Sequence, residues 1–503
     1  MAFHRTILIL TCILALNLSK RSSAFVARNR FSFRLLNKYN DAGAISPRES
    51  KISRGIVPRM VVTFSTDDKS DFGEILSSSA IIAGNTIGGG ILALPLVSTQ
   101  CGFLPSAAII TIIWTLCYIS GLFICEAAIT NSEYCKVTPS ASSRSGLTEE
   151  DSGEEAASML ELAEQSLGQR TGLLAWTGSL IVNYALLIAY IAQCGQVLEQ
   201  ALPSWMAPLV GEGSLLGSME VLVTAGTALL VAGASSAVLD ITANGLMVVV
   251  FASFAALVGG LVPGVDPESL MRADTSAGAA LPLLPVALCA LVFHNVLPAV
   301  TARLGCDRQK VSKSVFWGTF IPLLMYLCYD FAVLGSLGSG LEMSSVEAVF
   351  DTLKGPVTVF SFSTLITSLI GSAISLQAEW RGIFSRNQSE GKGEEDDVAE
   401  DSASAVVSST LTYLPPLAVA LASLEGGGGS GSNSLFLACL DVVGTYIDPL
   451  LYGLLPVAMV WQQRYGSNLN GLSTEDEFVP GGKPMLSAIA ATYLMFMVGS
   501  SVL

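Results

Sequence analysis

Residues 81–96 read Ile81-Ile82-Ala83-Gly84-Asn85-Thr86-Ile87-Gly88-Gly89-Gly90-Ile91-Leu92-Ala93-Leu94-Pro95-Leu96. The stretch is apolar enough to enter a bilayer, yet four of the seven residues at positions 84–90 are glycine. Each interior glycine costs a helix about 1 kcal/mol relative to alanine. In hydrocarbon, the backbone groups that such a break frees need new partners. The pattern predicts either a helix that unwinds at a binding site or a glycine face that packs closely on another helix.

Composition places the whole chain in a membrane. Of its 503 residues, 51% are hydrophobic and 13% are charged, whereas soluble domains carry about 25% charged residues. Hydrophobic runs predict an all-α polytopic protein with eleven spans, at about 75–99, 103–129, 173–198, 215–234, 240–261, 280–303, 315–337, 357–384, 405–424, 435–460 and 485–503. They are called spans one to eleven below. The ten scattered cysteines are predicted to be small packing residues.

The N-terminal region is predicted to be a targeting sequence rather than part of the fold. Residues 1–24 have the short apolar run of a signal peptide, and residues 25–60 are basic and transit-peptide-like. The junction Ser23-Ala24-Phe25 resembles that of bipartite plastid presequences in algae. We therefore expect a plastid membrane, most simply the inner envelope; a plain secretory signal leading to another endomembrane or the plasma membrane is the alternative. The spans then form a domain at 61–503.

Charge in the loops predicts the orientation. Acidic segments at about 136–158 and 387–404 are expected to be solvated loops. Thirteen Lys and Arg residues fall on one side of the eleven spans and two on the other. By the positive-inside rule, the mature N-terminus lies inside, on the stromal side of a plastid envelope.

Span six carries a second interruption, Phe293-His294-Asn295-Val296-Leu297-Pro298. Proline removes a backbone donor and kinks or ends a helix. Spans one and six are five spans apart, which is the spacing of matching positions in two five-helix halves. Interruptions at matching positions indicate an inverted-repeat transporter with its binding site between them.

These residues carry a family resemblance. Residues 82–95 resemble the AGTTIGAGMLAMP-type run of the aromatic amino acid permeases, the tyrosine- and tryptophan-specific proteins of the amino acid–polyamine–organocation superfamily. Residues 293–298 resemble their FH-x-x-x-P run, and shorter echoes occur at 321–323, 334–336, 367–371, 414–417, 461–464 and 481–484. The resemblance covers about residues 74–500. It implies a leucine-transporter-like 5+5 inverted repeat plus an eleventh transmembrane helix.

The resemblance also implies a binding site. The substrate's carboxylate and amino group would be held around Gly84, Asn85, Thr86, Gly88, Gly89 and Gly90. Its side chain would face Phe293, His294 and Asn295. Bacterial members carry a lysine in span five, whereas residues 239–261 here contain no Lys or Arg. That departure leaves the coupling ion open between proton and sodium.

Ionisable and hydroxyl side chains within the spans are candidates for the coupling site, because burying them in a bilayer is expensive. His294 and Asp330 are the predicted proton-coupling residues. Thr364, Thr367 and Ser368 could form a sodium site, although such hydroxyls often bond to their own helix. Asp441 and Asp448 of span ten, beside Pro449, stay open between an interfacial and a functional role.

The predicted function is secondary active transport of tyrosine or tryptophan by alternating access, with a proton as the expected coupling ion. Alternatives are a sodium-coupled or neutral amino acid transporter of the same fold, and a sensor that binds without transport. The sequence contains no HExxH or GxSxG motif and no paired catalytic carboxylates, so no motif favours an enzyme. The expected partners are the amino acid, the ion and the lipid bilayer, with no cofactor, metal or nucleic acid.

Overall fold

The computed structural model describes residues 67–131, 159–201, 218–234, 236–337, 353–388, 397–425, 431–466 and 477–501. Contacts divide the chain into Met1–Asp71 and Phe72–Leu503, and of the first unit only residues 67–71 are among those described. The predicted signal and transit-like segments and the whole of the acidic loop predicted at 136–158 lie outside the described residues.

Helices occupy all the predicted span positions, and the described residues contain no strand. In span order they are Asp67–Thr86 with Gly90–Ser98, Phe103–Thr130, Gln169–Ala201, Met219–Gly233, Ser236–Leu261, Leu283–Ala290 with Leu297–Arg303, Arg308–Gly335, Lys354–Gln388, Asp397–Glu425, Gly431–Val442 through Leu455–Tyr465, and Gly482–Ser501. Shorter helices are Met159–Leu167, Pro267–Met271 and Ala277–Ala280.

Eight of the described helices are long and apolar enough to cross a membrane, and the two helices of span one together could form a ninth. Span four is a shorter apolar helix, Met219–Gly233. Two boundaries differ from the prediction. Span seven begins at Arg308 because Asp307 caps it, its carboxylate accepting hydrogen bonds from the backbone N–H groups of Gln309 and Lys310. The acidic loop predicted at 387–404 is shorter, since helices end at Gln388 and begin at Asp397.

Span one is broken at its glycines. Residues Ile87, Gly88 and Gly89 are not helical, and the two helices on either side meet at an angle of 55°. The Gly88 N–H donates to the Thr86 carbonyl over 2.9 Å, an i to i−2 bond that no α-helix makes. The glycine run therefore unwinds the helix in the middle of the span.

Span six is interrupted just before its polar motif. The helix Leu283–Ala290 ends, Leu291 to Phe293 are not helical, and His294–Val296 forms a single 3₁₀ turn. Pro298 lies in the first turn of the following helix, Leu297–Arg303, where its missing N–H costs no hydrogen bond. The interruption thus precedes the proline instead of being a kink at it.

Span ten contains a feature that the sequence did not predict. Its middle is π-helical over Val443–Ile447 and again over Pro449–Leu454, with Asp448 between the two segments. A Cβ atom at Gly444 would lie 1.9 Å from the Pro285 carbonyl oxygen. Only glycine lets span ten approach the first half of span six this closely.

A buried ion pair ties span two to the end of span ten. Arg464 binds Glu126 through two contacts, Nε to Oε1 at 2.6 Å and Nη2 to Oε2 at 2.7 Å. Both side chains are nearly inaccessible, at 3% and 2%. Glu477 adds a second carboxylate to Arg464 at 3.0 Å, and the Phe478 N–H donates to Glu126 at 2.9 Å. The residues just before span eleven are thereby fixed to spans two and ten.

The described cysteines divide into three groups, one of which, Cys289 and Cys328, is free but not buried. Those at 101, 117, 125, 194 and 439 are free and buried, as expected of packing residues. Cys306, in the turn before span seven, is disulfide-bonded, which the prediction of packing residues missed.

Candidate functional site

Tyr326 of span seven joins the two interrupted spans. Its hydroxyl oxygen lies 2.6 Å from the Thr86 carbonyl oxygen and 2.9 Å from the Ala290 carbonyl oxygen. These carbonyls are the last of their helices before each break, so each has lost its helical partner. Tyr326 is fully buried. The Thr86 carbonyl also accepts from the Gly88 N–H over 2.9 Å. The single hydroxyl proton of Tyr326 is therefore shared between two carbonyls, one at each interruption.

The two breaks also touch directly. A Cβ atom at Gly90 would lie 2.7 Å from the Ala290 Cα atom, which is backbone and cannot move aside. Gly90 begins the second helix of span one, and Ala290 ends the first helix of span six. Glycine at this position is what allows the helix ends to meet.

The unwound glycines face spans eight and three. The Gly89 N–H donates to the Ser368 hydroxyl oxygen over 3.0 Å. A Cβ atom at Gly88 would lie 2.7 Å from that oxygen, and one at Gly89 would lie 2.6 Å from the Tyr190 ring. The break is thus enclosed by one hydroxyl group and one aromatic ring.

The predicted binding residues of span one have different neighbours. Asn85 is exposed, and its Nδ2 donates to Oδ1 of Asn295 over 2.9 Å. Thr86 is buried and its hydroxyl bonds back to the Ile82 carbonyl. A Cβ atom at Gly84 would meet only the end of the flexible Met247 side chain, at 3.4 Å. Of these three, Asn85 is the one that connects the two spans.

His294 is held in a stack of aromatic rings. Its ring lies 4.7 Å from that of Phe293 and 5.1 Å from that of Tyr452, nearly parallel to both. Its Nε2 atom is 2.8 Å from the Ser120 hydroxyl oxygen, which is 3.1 Å from the Tyr493 hydroxyl. Only 1% of His294 is exposed, and its Nδ1 has no hydrogen-bond partner among the described residues. The imidazole is therefore placed among spans two, ten and eleven.

The three predicted residues of span six do not share one surface. Phe293 packs in the core against Gly121 of span two, where an added Cβ would lie 2.8 Å from its ring. His294 faces Ser120 and Tyr452, whereas Asn295 faces Asn85. Sequence adjacency grouped these side chains, but the 3₁₀ turn directs them differently.

Asp330 is buried but lies away from the breaks. Neither carboxylate oxygen has a hydrogen-bond partner among the described residues. It interacts with Ser98 and Cys101. Ser98 is the last residue of the helix Gly90–Ser98 and Cys101 follows it, so both lie at the end of that helix opposite to the break. The structure therefore does not bring Asp330 and His294 to one place.

The predicted cation hydroxyls bond within span eight. Those of Thr364, Thr367 and Ser368 donate to the carbonyls of Phe360, Ser363 and Thr364, respectively, over 2.7–2.9 Å. Of the three, Ser368 also contacts span one, through the Gly89 N–H.

The sequence left open the role of one buried acid near the breaks, Asp448. Asp448 is 1% exposed, and neither of its oxygens has a hydrogen-bond partner among the described residues. It interacts with Cys289, two residues before the span-six break, and with Tyr190, which packs on Gly89. Pro449, its neighbour in sequence, was the only local signal.

Comparison with known proteins agrees with this architecture. The model of the tryptophan/tyrosine permease family matches residues 72–499. Tyrosine-specific transport system 2 of Haemophilus influenzae is 26% identical over 414 residues, 77% of this chain and 87% of that protein. A tryptophan-specific transport protein of Pseudomonas aeruginosa is 25% identical over 321 residues, 60% of this chain and 70% of its own length.

Among solved structures, MhsT in complex with L-phenylalanine superposes with a TM-score of 0.54 at 14% identity, over 86% of this chain and 98% of that one. At this identity the likeness concerns the fold alone. The predicted fold class, an all-α leucine-transporter-like membrane protein, is confirmed.

Proposed function

Because the chain belongs to the tryptophan/tyrosine permease family and is a membrane transporter rather than an enzyme, we propose that it carries tyrosine or tryptophan across its membrane. The observation that carries the proposal is the position of the Tyr326 hydroxyl. It lies within hydrogen-bond distance of the last helical carbonyl before each break, Thr86 in span one and Ala290 in span six. Irregular backbone at membrane depth is tolerated where it lines a cavity, and paired broken helices hold the substrate in transporters of this architecture.

The proposed site places the amino acid carboxylate at the start of the helix Gly90–Ser98. A helix N-terminus presents a positive dipole end to an anion. The N–H groups of Gly89, Ile91 and Leu92 already have acceptors over 3.0–3.2 Å, so the support is the dipole. The exposed amides of Asn85 and Asn295, each beside the break of its own span, are bonded to each other and would supply polar contacts. Phe293 and His294 are the predicted neighbours of the substrate's side chain.

We propose a proton as the coupled ion, which makes the protein a symporter. His294 is the proposed proton-handling residue of the two predicted, because it follows the span-six break directly while Asp330 lies at the far end of Gly90–Ser98. An imidazole can accept a proton at one ring nitrogen and give one up from the other, which suits a proton shuttle. Sodium at Thr364, Thr367 and Ser368 is the alternative, but these hydroxyls already bond to their own helix.

The membrane we propose is the plastid inner envelope, with the mature N-terminus in the stroma. The support is the basic N-terminal region and the 13-to-2 distribution of Lys and Arg between the two sides. Residues 1–60 fused to a fluorescent protein should enter the plastid in an algal cell. Secretion of that fusion would favour the plain signal peptide and another membrane.

Uptake by proteoliposomes tests the transport proposal. Labelled tyrosine and tryptophan should accumulate when the outside is acidic, with sodium absent. Accumulation that requires sodium, or that favours a neutral aliphatic amino acid, supports the alternative transporters. Binding of the amino acids without flux under any gradient would indicate a sensor.

A further inference from the structure

Asp448 lies at the centre of the helix bundle, on a distorted part of span ten. Two π-helical segments flank it, and the residue that follows is proline, which has no N–H to donate. π-Helical bulges occur frequently at functional sites. The segment packs against the first half of span six through Gly444 and against span eleven through Gly453, where an added Cβ would lie 2.5 Å from the Tyr493 ring. The backbone is thus held in place on two sides.

Among the described residues, no positively charged side chain interacts with the carboxyl group of Asp448. Its two oxygens are buried and without a hydrogen-bond partner among the described residues. The titratable groups that act on it come from spans two, three, six, ten and eleven: Cys117, Tyr190, Cys289, Tyr452 and Tyr493. None of these side chains carries a positive charge. An ionised carboxylate is expensive in such surroundings, and binding a proton removes that cost.

Asp448 also connects the two parts of the candidate site. On one side is Tyr190, whose hydroxyl interacts with Ser368 and whose ring packs on Gly89. On the other is Tyr452, whose ring stacks on His294 at 5.1 Å. Asp448 thus interacts with one side chain that packs on the unwound glycines and with one that stacks on the imidazole.

We propose that Asp448 binds and releases the proton that accompanies the substrate, an inference that rests on the proton symport proposed above. A proton from the acidic side forms an O–H bond with one carboxyl oxygen, and its release on the other side breaks that bond and restores the carboxylate. His294 then relays the proton, and Asp448 carries it. The roles are separable, because a relay sets the rate of proton transfer and a carrier sets whether the proton is moved at all.

The test compares Asp448→Asn with wild type and with Asp330→Asn. Asp330 is a matched control, a second buried acid whose oxygens have no hydrogen-bond partner among the described residues. Each full chain is reconstituted in proteoliposomes with labelled tryptophan or tyrosine. One proton per substrate and a gradient of one pH unit support about tenfold accumulation. Wild type and Asp330→Asn should reach it. Asp448→Asn should lose accumulation while still exchanging labelled for unlabelled substrate without a gradient.

Two results would overturn the inference alone. One is accumulation by Asp448→Asn equal to that of wild type. The other is a folded Asp448→Asn protein that neither binds nor exchanges substrate, which would assign the carboxylate to the substrate's ammonium group. A wild-type protein that exchanges substrate but never responds to a pH gradient would instead overturn proton symport itself, and this inference with it.

A second variant decides the matter if Asp448→Asn fails to fold. Asp448→Glu keeps an acidic group but moves it, so accumulation should persist with a displaced pH midpoint. A pH profile identical to that of wild type would overturn the assignment. His294→Gln should slow the initial rate and leave the final accumulation unchanged, as expected of a relay.

Discussion

The side-chain amide of Asn85 donates a hydrogen bond to the side-chain carbonyl of Asn295 across 2.9 Å. Each asparagine lies beside the interruption of its own span, so the bond joins spans one and six where both leave regular helix. Both side chains are exposed. The two broken spans therefore share a polar contact that is accessible.

Replacing Asn295 by alanine should weaken substrate binding more than it weakens the fold. A neutral hydrogen bond contributes about 0.5–1.5 kcal/mol, so the KM for uptake should rise between about twofold and tenfold. Exposure of both side chains predicts little change in melting temperature. The double variant with Asn85→Ala should be no worse than either single one. Strictly additive effects would show that the pair does not act together at the site.

Tyr326→Phe should disturb both breaks at once. Without the hydroxyl, the Ala290 carbonyl loses a buried partner, at a cost of about 1–3 kcal/mol, and the Thr86 carbonyl keeps only the Gly88 N–H. Thermal unfolding in detergent and uptake should both show the loss. Tyr329→Phe removes a hydroxyl from another buried tyrosine of the same helix that does not bridge the breaks. Equal effects of the two variants would contradict a special role for Tyr326.

Gly90→Ala should reduce uptake strongly, although it favours helix. The added methyl group would meet the Ala290 backbone at 2.7 Å and force the two helix ends apart. The matched control is Gly371→Ala in span eight, where an added Cβ meets nothing within 4 Å. That change should be neutral or stabilising by up to about 1 kcal/mol. If Gly90→Ala transports like Gly371→Ala, the close approach of the breaks is not required.

The ion pair between Arg464 of span ten and Glu126 of span two should contribute more to stability than the pair between Lys310 of span seven and Glu74 of span one. Arg464→Leu leaves Glu126 buried without its cation, which should cost about 3–5 kcal/mol. Lys310 pairs with Glu74 at 2.9 Å on a partly exposed surface, so Lys310→Met should cost at most about 1 kcal/mol. Melting temperatures of the purified variants compare the two. A larger drop in melting temperature for Lys310→Met than for Arg464→Leu would contradict the prediction that the buried pair contributes more.

His294→Gln should flatten the pH dependence of the initial uptake rate, because an imidazole nitrogen can accept and return a proton whereas a glutamine amide cannot. Glutamine can still bond to the Ser120 hydroxyl, so the variant tests proton transfer rather than packing. Initial rates at several pH values, with the gradient held constant, provide the measurement. A profile as steep as that of wild type would remove His294 from the proton path.

The sequence predicted the breaks better than the surroundings of the acids. The glycine run placed the interruption of span one, since several glycines in succession weaken a helix wherever it lies. Pro298 marked span six, although the chain leaves the helix earlier, at Leu291. Asp330 was selected for its position within span seven, but hydropathy cannot tell how far a mid-span acid lies from a break. Asp448 became distinctive only through π-helical geometry and neighbours from other spans.

The most direct test of the central claim is an experimental structure of the protein with bound tryptophan or tyrosine in a lipid nanodisc. We predict density for the amino acid between residues 87–90 and residues 291–295, with its carboxylate at the N-terminus of the helix Gly90–Ser98. Continuous helix through residues 87–89, or an amino acid bound away from both interruptions, would contradict the account.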